Sequence, residues 1–118
     1  MSDYKNLLVW QYAFRLCKAI FQLTETFPSS QRHCLSPQLQ RAALSVVSNI
    51  AEGSRRSCKE WRNFIRIAYG SASEIETQLL VAKSMSFGDE KLYVEVLDLL
   101  DHTLRLLNRT YHAANRQA

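Results

Sequence analysis

At 118 residues with a net charge of +4, the chain is one domain, long enough to bury a core without disulfide or metal staples. Apolar residues make up 47% and charged residues 22%, which excludes a disordered chain. No run approaches the ~20 apolar residues of a membrane span, and MSDYKNLLVW lacks the order of a secretory leader, so a cytoplasmic protein is expected.

Three Gly and two Pro leave few interruptions for long helices. Four segments carry apolar residues at spacings of three and four. In the first, expected over 6–26, Val9, Ala13, Leu16, Ile20, Leu23 and Phe27 make one stripe. Trp10, Phe14, Cys17 and Phe21 make a second beside it. Pro28 ends this helix. The second helix is expected over 37–52, with Ser36 as cap and Pro37 in the first helical position. Leu39, Ala43, Val46 and Ile50 form its stripe, and Gly53 reads as its C-terminal stop.

The third helix, expected over 58–86, opens on the capping box Ser57-Cys58-Lys59-Glu60. Trp61, Ile65, Ala68, Ala72, Ile75, Leu79 and Ala82 recur at four and three. Its centre, AYGSAS, is small, and Gly70 there suggests the close approach of another helix. The fourth, expected over 90–113, starts after Asp89. It again carries two stripes: Leu92, Val96, Leu99, Thr103 and Leu106 beside Tyr93, Leu97, Leu100, Leu104, Leu107 and Tyr111. The tail AANRQA is expected to fray. The expectation is an all-α chain, one antiparallel up-down four-helix bundle over 1–118.

Helices one and four show more apolar surface than one bundle face needs. Either the second stripes complete a wide core, or Trp10, Phe14, Phe21, Tyr93, Leu97, Leu104 and Tyr111 form a homo-oligomer interface. The interface is the reading favoured here.

No constellation points to catalysis, a metal or a cofactor. Glu-x-x-His pairs are absent, and His102 and His112 lie ten residues apart, roughly 15 Å along a helix. Cys17, Cys34 and Cys58 are odd in number with no CxxC, which suits free thiols in a reducing compartment. Cys58 sits at a helix start between cations, where a thiolate is favoured, but no histidine is placed to activate it. Glu74, near the small-residue centre, needs a partner if buried, and Arg41 is a candidate. Asn49, outside both the apolar stripe and the polar row that includes Glu52, suits a bond at a helix–helix seam.

The charge is uneven. Residues 1–66 hold ten Lys/Arg against four Asp/Glu, and residues 67–118 hold five against seven. Arg55, Arg56, Lys59, Arg62 and Arg66 gather around one helix start. They either meet RNA or DNA phosphates, form a solvated face, or pair with the carboxylates of a neighbouring subunit.

Three stretches carry a resemblance. LLVWQYAFRLCKAIFQLTETFP, LSPQLQRAALSVVSNIAEGSRRS and KEWRNFIRIAYGSASEIETQLLVAKS resemble the first three helices of the four-helix-bundle family of 23S rRNA intervening-sequence proteins. The similarity covers about residues 6–88, with SNIAEG (48–53) and YGSASE (69–74) as its most specific marks. The resemblance implies a ring-like homopentamer without enzymatic activity. The accessory protein of diversity-generating retroelements is a distantly similar bundle: a basic pentamer that binds nucleic acid and a reverse transcriptase. The reading is therefore an oligomer that binds nucleic acid; the alternative is a structural or adaptor oligomer that presents a surface to a protein partner.

Overall fold

A computed structural model describes residues 3–117, with side chains through residue 114. A 3-10 turn at Tyr4–Asn6 leads into α1 (Leu8–Glu25); a second at Ser29–Gln31 precedes α2 (Leu35–Gly53). Then follow α3 (Cys58–Ser84) and α4 (Glu90–Gln117), with no strand among the described residues.

Each helix packs against its sequence neighbours, and α1 closes the bundle against α4. Specific contacts fix the antiparallel sense. The Thr26 hydroxyl, after α1, accepts the Asp89 N–H, before α4, at 2.8 Å. Further along the same pair, Tyr12 stacks on His102 at 5.0 Å. Between α2 and α3, Ser45 meets Ser71, while Gly53 lies against Phe64.

The predicted first stripes supply most of the core, joined by Cys17 of α1 and by Tyr93, Leu100 and Leu107 of α4 from the second stripes. The five members on α1 and Phe27 just past its end are buried, as are Leu39, Ala43, Val46 and Ile50 on α2. On α3 the stripe is buried from Ile65 to Ala82, with Trp61 half-buried at its head. On α4 Val96, Leu99 and Thr103 are buried, and the Thr103 hydroxyl is satisfied by the Leu99 carbonyl at 2.7 Å.

The helix ends correct the sequence reading in four places. The first helix begins at Leu8, because Asp3 accepts the Lys5 N–H and holds a separate turn before it. The second begins at Leu35, so Ser36 lies inside it, buried, and caps nothing. Pro37 then falls at the third helical position, where an N–H still has no intrahelical partner to lose. The third helix stops at Ser84, not 86. Ser86 adopts φ 60°, and Ser86 and Phe87 donate back to the carbonyls of Lys83 and Ala82, a Schellman ending built on serine instead of glycine. The fourth helix, expected to fray after 113, continues to Gln117; Ala118 lies outside the described residues.

The end of the bundle holding the turn between α3 and α4 is closed by aromatics. Phe27 and Phe87 meet at 5.9 Å, and Tyr93 donates its hydroxyl to the Phe87 carbonyl at 2.7 Å. Gly88, at φ 83°, runs under Phe27, where a Cβ would lie 2.9 Å from the ring. Tyr93, expected at a subunit interface, is therefore a core residue, 2% exposed, with its phenol pKa raised by burial.

Candidate functional site

The opposite end carries the cations. Its geometry begins with Gly53, the last residue of α2. The helix ends at Gly53 as expected, yet this glycine keeps negative φ and its role is steric. A Cβ there would lie 2.5 Å from Phe64 Cβ and 3.0 Å from Trp61 Cε3. Glycine lets the first turns of α3 fold back directly on α2. The predicted capping box then forms: Ser57 Oγ accepts the Glu60 N–H at 3.3 Å, and Glu60 Oε1 accepts the Ser57 N–H at 3.4 Å. Ser54 tightens the turn by donating to the Ala51 carbonyl at 2.7 Å.

This tight turn sends its two arginines apart. Arg55 lies over the Tyr4 ring, 5.3 Å from its centroid. Arg56 bridges Glu52 at 3.1 Å and Glu60 at 3.6 Å, and its guanidinium lies 5.5 Å from the Phe64 centroid. These ion pairs are about half exposed, so each contributes only about 0–1 kcal/mol. Together they hold Arg56 along its own hairpin, and Glu52 is an ion-pair partner there.

The five cations thus separate into two places. Arg55 and Arg56 border a hollow of about 440 Å³ with Tyr4, Ser48, Ala51 and Glu52. Lys59, Arg62 and Arg66, on successive turns of α3, line another of about 440 Å³ with Glu60, Asn63, Phe64 and Tyr111 of α4. Arg66 donates to Asn63 Oδ1 at 2.7 Å. A smaller hollow of about 230 Å³ adjoins it, sharing Arg66 and Tyr111 and adding Tyr69, Asn108 and His112. The last two form one trough between the start of α3 and the end of α4.

Sequence reasoning did not connect Tyr4, Phe64, Asn108 and His112 with the cations. Tyr4 precedes the first periodic segment, and Asn108 and His112 belong to a helix about 50 residues downstream. An aromatic three residues from an arginine, as at Arg66–Tyr69, was the one available signal.

The polar seam residue behaves partly as expected. Asn49 Nδ2 donates to the Ser45 carbonyl at 2.7 Å and to its hydroxyl at 3.1 Å. The Ser45 hydroxyl meets Ser71 Oγ at 2.9 Å, so Asn49 reaches α3 through a serine of its own helix. Gly70 does not mark close packing within the chain: a Cβ there meets nothing within 4 Å. Glu74 is exposed and accepts from Gln78 at 3.4 Å; no ion pair to Arg41 forms among the described residues.

The expected interface residues divide as well. Trp10 is half-buried and stacks on Phe14 at 4.9 Å. Phe14 and Phe21 are 44% and 36% exposed. They share the flank of α1 that bears Thr24, whose hydroxyl accepts from Gln40 of α2 at 3.0 Å, and Leu44 of α2 is 47% exposed. On α4, Leu97, Leu104 and Tyr111 are half-buried against the core. The apolar surface left on these two helices' second stripes thus belongs mainly to α1, toward α2.

Cys17 is buried, and burial raises its thiol pKa; Cys34 and Cys58 are exposed. Among the described residues, no three His, Cys, Asp or Glu side chains gather as a metal site would require. No described helix is long and apolar enough to cross a membrane.

No curated protein matches the chain. The family model described as 23S rRNA-intervening sequence protein matches residues 5–109, which carries the similarity past the third helix and through most of α4. The chain belongs to the 23S rRNA-intervening sequence protein family.

Proposed function

We propose that this protein is a non-enzymatic, cytoplasmic oligomer that binds the phosphate backbone of RNA or DNA. The observation that carries this reading is the lining of the α3–α4 trough. Three cations, Lys59, Arg62 and Arg66, border one hollow whose lining includes a single carboxylate, Glu60. That carboxylate is already engaged by Arg56 and Ser57. Positive potential therefore concentrates beside the start of α3, where the helix dipole adds to it. Arg55, on the other side of the turn, extends the same end of the bundle; Arg56 contributes less because two carboxylates neutralise it.

Mixed-sequence RNA and DNA titrated by fluorescence anisotropy test this. Binding weakens steeply with salt, since each phosphate contact releases counterions. Reversing Lys59, Arg62 and Arg66 to Glu abolishes binding, whereas Arg56→Gln changes it little. Absence of binding to either nucleic acid at low salt overturns the reading.

Assembly is the second part of the proposal. Phe14, Phe21 and Leu44 give the α1–α2 edge an exposed apolar surface suited to a neighbouring subunit. A ring-like homopentamer of 13.6 kDa chains has a light-scattering mass of about 68 kDa. A monomeric mass overturns this part. The same apolar edge is what favours the second reading, an adaptor that docks a protein partner. In that case Phe14→Glu abolishes partner binding, and reversal of the α3 cations leaves it intact.

A further inference from the structure

The trough has two unlike ends. Lys59 and Arg62 stand at one. The other is lined by Tyr69, Tyr111, His112 and Asn108, with no carboxylate among them. Arg66 and Tyr111 belong to both. Tyr69 is 40% exposed, and Tyr111 is half-buried with the His112 ring edge-on at 5.7 Å. Along α3, Arg66 and Tyr69 are one turn apart, about 5 Å by helix rise. Arg66 therefore lies within the span of one nucleotide from Tyr69, whereas Arg62 and Lys59, about 10 and 15 Å away by the same rise, stand where the phosphates of adjoining nucleotides would run.

A bare phosphate site needs no such aromatic end. A duplex cannot use it, because its bases are stacked on each other and turned inward. An unpaired nucleotide can: its phosphate is attracted by the cations, its base has a π-face for tyrosine, and the Asn108 amide offers a donor and an acceptor to a base edge. We infer that this trough takes an unpaired nucleotide, phosphate toward Arg66 and base against Tyr69 and Tyr111, with Arg62 and Lys59 beside the adjoining phosphates. The protein thus prefers single strands to duplex. The inference rests on the nucleic-acid reading above and narrows it to one class of strand.

Three labelled probes test it by fluorescence anisotropy: a mixed-sequence single strand, as RNA and as DNA; its duplex; and an abasic strand of equal length. The wild type binds the single strand about tenfold more tightly than the duplex or the abasic strand, the size of one base–aromatic stack. Tyr69→Ala removes that preference and leaves abasic-strand affinity and the salt slope unchanged. Tyr111→Leu does the same, but Tyr111 also packs on the core, so Tyr69→Ala, at an exposed position, decides the matter if Tyr111→Leu unfolds. Equal binding of all three probes, each abolished by Arg66→Glu, overturns the base site and leaves the phosphate reading standing. Unchanged single-strand preference in a folded Tyr69→Ala protein also overturns it. Failure of every probe to bind overturns both.

Discussion

Two glycines seventeen residues apart on one helical hairpin behave in opposite ways. At Gly53 the chain has no space for a side chain: Phe64 Cβ would sit 2.5 Å from an added Cβ. At Gly70, in the middle of α3, an added Cβ would meet nothing within 4 Å. The first glycine is fixed by what crosses it inside the molecule, and the second by nothing inside the molecule. The contrast separates the α2–α3 seam, which is closed and sterically specified, from the outer face of α3, which is open.

The sharpest way to break that comparison is Gly53→Ala. A new methyl would raise helix propensity by up to about 1 kcal/mol. It would also collide with Phe64 Cβ, the root of a side chain, which no rotamer change can move. Overpacking of this kind costs typically 1–3 kcal/mol. The clash wins, and we expect a net loss of about 1–2 kcal/mol in urea unfolding, and weaker binding in the proposed nucleic-acid titration because the turn bearing Arg55 and the start of α3 shift together. Unchanged stability would show that the seam opens easily.

Asn49→Leu probes the same seam more gently. It removes two bonds to Ser45 but leaves the Ser45–Ser71 contact. The loss is about 1 kcal/mol, one net hydrogen bond, offset by a few tenths from the better helix former. A half-buried leucine also adds apolar surface, so solubility falls. A loss of several kcal/mol would mean that Asn49 organises the seam and does not merely trim it.

The core was legible because its signal is local. Spacings of three and four placed Leu16, Val46, Ile75 and Leu99 inside without knowledge of any partner helix. The choice between two adjacent stripes is not local. Phe14 lies about 140° around α1 from Val9. It stays exposed, while Leu100 and Leu107, in the corresponding stripe of α4, are buried. Periodicity cannot tell which stripe faces the bundle axis, since that depends on how the helix is rotated against two neighbours. The candidate site was half legible. Lys59, Arg62 and Arg66 could be placed on one face by counting, but Tyr111 joins them only when α4 folds back on α3. Gly53 was recognised as a boundary for the wrong reason. A glycine after an apolar stripe reads as a left-handed stop, and its steric role depends on Trp61 and Phe64, which come later in the chain.

Gly70→Ala is the smallest and most discriminating change. In a lone chain, replacing an exposed mid-helix glycine stabilises the helix by roughly 0.5–1 kcal/mol, because alanine has less backbone freedom to lose. No contact in the chain opposes that gain. The expected result is a modest rise in unfolding midpoint with the light-scattering mass unchanged. The opposite result, a drop in mass or in midpoint, would place another copy's backbone against this face of α3. The outer face would then be as sterically specified as the seam at Gly53, between subunits instead of within one. The proposed subunit contact would also move from the α1–α2 edge, where Phe14, Phe21 and Leu44 are exposed, to the small-residue centre of α3.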